Sequence, residues 1–60
     1  MNVSTQEISR QASGLLESGR LQEARTLYMQ VTQLDPDDAD AWLMLGAING
    51  ELGEVEEAIR

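Results

Sequence analysis

A short chain has few ways to bury a core, and one feature of this sequence narrows them: it nearly repeats itself. Slid by 34 residues, Ile8 falls on Trp42, Ala12 on Gly46, Gly19 on Gly53, Leu21 on Val55, Glu23 on Glu57 and Ala24 on Ala58. The clearest run is ESGRLQEAR, residues 17–25, over ELGEVEEAI, residues 51–59. Among the segment-defining apolar and small positions, Leu15, which falls on Asn49, changes class. A period of this length marks stacked supersecondary units, none of which buries its apolar face alone.

Within each unit the apolar spacing is helical. Ser4-x-x-Glu7 forms a capping box ahead of Ile8, Ala12, Leu15 and Leu16, and Gly19 sits where a left-handed helix end belongs. A second helix is expected from Leu21 through Ala24, Leu27, Tyr28, Val31 and Leu34, stopped by Pro36. A third starts from a cap at Asp37 or Asp38, carrying Trp42, Leu45, Gly46, Ile48, Asn49 and Leu52 up to Gly53. A fourth opens with Val55, Ala58 and Ile59. Arg20 and Glu54 are weak caps for the second and fourth, but Glu23, Glu56 and Glu57 place negative charge in their first turns.

Asn49-Gly50 is also a strong hairpin signal. The repeat decides against a hairpin, because Asn49-Gly50 overlies Leu15-Leu16 in mid-helix. Gly46 then reads as a small residue where two helices approach closely, and Gly53 as a helix terminator. With connections of a few residues, neighbouring helices run antiparallel. The expected fold is all-α, an α-solenoid of antiparallel helix-turn-helix repeats with three full helices and the start of a fourth.

Period and residue types together resemble the tetratricopeptide repeat. Trp42-x-x-Leu45-Gly46 is similar to its opening signature, Ala24-x-x-x-Tyr28 to the small-then-aromatic pair of its second helix, and Leu34-Asp35-Pro36 to its closing turn. On this reading Ala12, Gly19, Ala24, Tyr28, Pro36, Trp42, Leu45, Gly46, Gly53 and Ala58 are the repeat signature. Residues 1–4 are a lead-in, 5–38 a first repeat and 39–60 a truncated second. Ile8 where the family has Trp, and Asn49 where it has an aromatic, are departures; the first repeat is atypical, as terminal repeats often are. The chain looks like an N-terminal, bacterial-type fragment of a longer repeat protein.

Composition removes several function classes. There is no Cys and no His, which takes away disulfides, thiolate metal sites and the commonest general base. "DPDDAD" fails the calcium-loop pattern at Ala39 and Asp40 and reads as a turn plus helix cap. With no glycine-rich phosphate loop either, no enzymatic activity and no cofactor are expected. The formal net charge of −7 belongs to the second half: eight acids stand there against Arg60, while three acids and three arginines balance before residue 31. That half repels a phosphate backbone, so no nucleic-acid partner is expected. Its acids read as a solvated face or, more sharply, as a surface for a basic partner. No run suits a membrane span, and MNVSTQEISRQ lacks the basic and apolar segments of a secretory signal, leaving a cytoplasmic location as the default.

What the resemblance implies is a scaffold that binds a partner peptide or helix along a concave wall. By register that wall holds Gln6, Ser9, Arg10, Ser13, Leu16 and Glu17, then Asp40, Leu43, Met44, Ala47, Gly50 and Glu51. Ser9, Arg10, Ser13, Leu16, Glu17, Leu43, Met44 and Ala47 are the candidate binding residues. A carboxylate clamp of the kind some family members use is disfavoured, since Arg10 is the wall's one cation. An alternative implied by the resemblance is the N-terminal region of a larger bacterial enzyme, such as a glycosyl- or sulfotransferase. A third reading is self-association: with fewer than two repeats, an exposed end rich in Leu43, Met44, Ile48, Val55 and Ile59 seeks cover in homo-oligomers, by exchange of terminal helices.

Overall fold

The structure is a computed structural model that describes the backbone of residues 4–59 and the side chains of residues 4–54. Three helices succeed one another, α1 (Thr5–Glu17), α2 (Leu21–Leu34) and α3 (Ala39–Ile59). Among the described residues there is no strand, so Asn49-Gly50 lies inside a helix as the repeat register requires.

Local chemistry sets each boundary. Ser4 caps α1 by accepting from the backbone N–H of Gln6 at 3.2 Å, one residue earlier than a full capping box would have it. Gly19 ends the helix at φ +79°. Arg20 N–H then reaches back to Leu15 C=O (2.9 Å) and Gly19 N–H to Leu16 C=O (3.0 Å), the paired bonds of a Schellman end. The α2–α3 turn is an Asx turn: Asp37 N–H donates to the Asp35 carboxylate (3.3 Å) and Asp38 N–H to the Asp35 carbonyl (3.1 Å). Asp38 caps α3 by accepting from Ala41 N–H at 3.1 Å, and Trp42 Nε1–H donates to the Pro36 carbonyl at 2.8 Å. Two carboxylates of the acidic turn, Asp35 and Asp38, are thus engaged by backbone N–H groups.

The expected helix end at Gly53 is corrected: α3 runs on to Ile59, 21 residues in all, and no separate fourth helix begins at Val55. Gly19 is the one described residue with a positive φ, so Gly53 does not turn the chain. The physical reason is nucleation. A separate helix over residues 54–59 would have to form a new first turn with few contacts in return, whereas continuing α3 gives each N–H its i−4 carbonyl. Gly53→Ala should therefore raise helix content and stabilise α3 by about 0.5–1 kcal/mol. Circular dichroism and a thermal melt check this; lost helicity would mean that Gly53 adopts the turn conformation of Gly19.

α2 packs against both α1 and α3, which meet each other only weakly. The core is Ile8 and Ala12 from α1, Ala24, Tyr28 and Val31 from α2, and Ala41, Leu45 and Ile48 from α3. Each large member contributes roughly 1.5–3 kcal/mol by leaving water. Thr32 is buried among them with its hydroxyl satisfied by the Met29 carbonyl at 2.7 Å. Leu15, Leu16, Leu21, Leu27, Met44 and Leu52 are half-buried around this core.

Two residues with core spacing are not core. Leu34 is 61% exposed and Trp42 53% exposed, because each faces a flank where no helix lies among the described residues. Ile48 moves the other way: expected at the exposed end, it is 1% exposed, on the α3 face turned to the core. The close approach expected at Gly46 is absent; a Cβ built there meets nothing within 4 Å. The small residues that do lie in the core are Ala41, 2% exposed, and the pair Ala12 and Ala24, both 0% exposed. By the repeat, the counterpart pair is Gly46 and Ala58, and the side chain of Ala58, like those of Val55 and Ile59, lies outside the described residues.

Candidate functional site

Two open grooves flank α3. The first lies between α1 and α3 over α2, encloses about 370 Å3, and is lined by Thr5, Gln6, Ser9, Tyr28, Asp38, Asp40, Ala41 and Met44. It joins the N-terminal turns of α1 and α3, which the connections bring to the same end. Tyr28 is its floor: the residue is 5% exposed, its ring held in the core. Burial pushes its phenol pKa up, so the O–H stays protonated. That hydroxyl has no hydrogen-bond partner among the described residues, nor is it sealed from solvent.

The second groove, about 480 Å3, lies between α2 and α3 and is lined by Arg25, Met29, Thr32, Gln33, Trp42, Leu45 and Asn49. Its α3 wall, Trp42, Leu45 and Asn49, recurs at helical spacing. Slid back by 34 residues, Trp42 and Asn49 fall on Ile8 and Leu15, which pack in and around the core, while buried Leu45 falls on exposed Gln11. At Trp42 and Asn49 the stripe is thus covered in the first unit and open in the second.

The predicted wall residues divide. Ser9 and Met44 line the α1–α3 groove, together with Gln6 and Asp40 from the same register. Leu16 is half-buried against the core, while Arg10, Ser13, Glu17, Leu43 and Ala47 are exposed outside the groove. Leu43 stands out at 70% exposed. Thr5, Tyr28, Asp38 and Ala41 are the lining residues that sequence reasoning misses. An aromatic at a core position reads as buried, and only the juxtaposition of α1 and α3 shows that Tyr28 also lines a groove.

Among the described residues no three acids or imidazoles are placed to hold a metal ion, and no helix is long and apolar enough to cross a membrane. The lone ion pair among them, Arg20 to Glu23 at 3.9 Å, is solvent-exposed and contributes little.

Consecutive helices stacked at a 34-residue period, with open grooves on both sides of the last, define a helical-repeat protein of solenoid type. The chain belongs to the tetratricopeptide repeat family: the family model described as TPR repeat matches residues 14–53, about two thirds of it. No curated protein and no solved structure matches the chain. TPR repeats generally mediate protein–protein interaction and are typically non-catalytic scaffolds.

Proposed function

We propose that this chain is a protein-interaction module in which residues 5–38 and 39–60 act as successive repeats and the α1–α3 wall holds a segment of a partner. The observation that carries this is the groove over Tyr28, open and walled by hydroxyl, amide and carboxylate groups on two helices. Exposed Leu43 beside it offers an apolar contact at no cost to the core. Selection of short peptides from a random library against the chain tests the reading. Selected peptides should bind Leu43→Glu and Ser9→Lys variants at least about tenfold more weakly, while helicity is unchanged. Equal binding to wild type and variants would remove the wall from the account.

A second copy of the chain is the other reading, favoured by the α2–α3 groove, where Met29 is 45% and Trp42 53% exposed. Sedimentation equilibrium over a hundredfold concentration range decides it. Mass should rise with concentration, and Met29→Glu should hold the chain monomeric; a wild-type chain that stays monomeric throughout rejects this reading.

A further inference from the structure

Asn49-Gly50, a hairpin signal held inside a helix, has a chemistry of its own. Wherever the backbone is free, the nitrogen of Gly50, unhindered by a side chain, can attack the side-chain carbonyl carbon of Asn49. The other asparagine, Asn2, precedes Val3, whose branched side chain hinders the same approach. Within α3 the attack is blocked. Gly50 N–H donates along the helix to the carbonyl four residues back, and the helical ψ of Asn49 turns that nitrogen away from its own Cγ.

The turn that holds the pair is the weakly held part of the helix. Ile48 is the last fully buried side chain of α3 among the described residues. After it Asn49, Gly50, Glu51, Gly53 and Glu54 are exposed, and Leu52 alone is half-buried, beside the start of α2. A Cβ at Gly46, Gly50 or Gly53 would meet nothing within 4 Å, so these glycines weaken the helix without easing any contact. The Asn49 side chain lines the α2–α3 groove and takes part in no hydrogen bond among the described residues. Opening the turn from Asn49 onward gives up the Leu52 contact and a few helix bonds, and leaves Ala41, Leu45 and Ile48 docked.

We propose that Asn49-Gly50 is a self-modification site whose rate follows the opening of this turn. Once the turn opens, the Gly50 nitrogen loses its proton and bonds to Asn49 Cγ. The bond from Cγ to the side-chain amide nitrogen breaks, and ammonia leaves with that proton, closing a five-membered succinimide. Water then adds to one of the two ring carbonyls and cleaves its bond to the ring nitrogen, giving aspartate or isoaspartate at position 49. Isoaspartate carries the main chain through the side-chain carbon and adds a backbone methylene. The i−4 register cannot continue across it, so α3 is cut back to its docked half. Either product also places a carboxylate in a groove whose one charged lining residue is Arg25. The chain thus records, on the helix at its open end, how long that helix has spent undocked.

The test incubates the chain at mildly alkaline pH and follows both asparagines by peptide mapping with mass spectrometry and by isoaspartyl methyltransferase labelling. Isoaspartate should accumulate at Asn49 and not at Asn2, at least about tenfold more slowly than in the chain unfolded by urea. Gly50→Ala, which hinders the nitrogen and strengthens the helix, should suppress it at least about tenfold. Gly53→Ala strengthens the turn without touching the reacting pair. It should slow the reaction severalfold in the folded chain and leave the rate in urea unchanged. Urea below the unfolding transition should barely alter the rate, because opening one turn exposes little surface. Equal rates in the folded and unfolded chain overturn the proposal, as does an absence of product at Asn49 long after the unfolded chain has converted. A rate that climbs in step with the unfolded fraction overturns it too, since global unfolding and not the turn would then expose the pair.

Discussion

Ile48→Ala should leave the chain largely unfolded. Ile48 is 1% exposed and, with Val31, one of the two largest fully buried side chains. Truncating such a residue costs about 2–5 kcal/mol, through lost transfer free energy and the cavity left behind. A core in a chain of this size rarely supplies more than about 3–5 kcal/mol in total. The single substitution is therefore comparable to the whole stability, and the far-ultraviolet circular dichroism of the helices should collapse at room temperature. Leu43→Ala on the same helix is the control, since Leu43 is 70% exposed and its truncation removes no buried contact. If Ile48→Ala keeps a cooperative melt near that of the wild type, α3 does not dock on α2 through this face.

Substitutions at the two equivalent small positions should have opposite signs. Ala12 is 0% exposed in the packed α1–α2 unit, so Ala12→Leu forces extra methylenes into a closed site at a cost of about 1–3 kcal/mol. Gly46, its counterpart 34 residues on, has no neighbour within 4 Å of an added Cβ. Gly46→Ala should stabilise α3 by up to about 1 kcal/mol, the helix-propensity difference alone. Urea melts of the two variants read the signs directly. A destabilising Gly46→Ala would reveal that in solution a helix, from this chain or a second copy, lies against that stripe.

These residues also show what a sequence of this kind discloses. The limits of α1 and α2 are legible because each depends on chemistry within a few residues: Ser4 before α1, Gly19 after it, the Asp35-Pro36 break after α2. The end of α3 is not, because glycine terminates a helix only where the chain then turns, and turning depends on the contacts that residues beyond the glycine can make. Spacing misleads in a related way for Trp42 and Leu34: it tells which face of a helix is apolar, not whether another helix covers it. Ile48 is misplaced by the same logic, because the register in which α3 meets α2 selects one of two adjoining apolar stripes. Of the groove lining, register alone finds Gln6, Ser9, Asp40 and Met44, whereas the place of Tyr28 depends on three helices at once.

The central position of α2 has a further consequence. Because α1 and α3 each rest on α2 and hardly on one another, the molecule is held together by two nearly separate seams that share one helix. Energetically it is a row and not a ball: either outer helix can peel away by opening a single seam, while α2 is released only when both are open. Growth obeys the same rule, since one more helix on the open side of α3 would add a seam without rearranging those already formed.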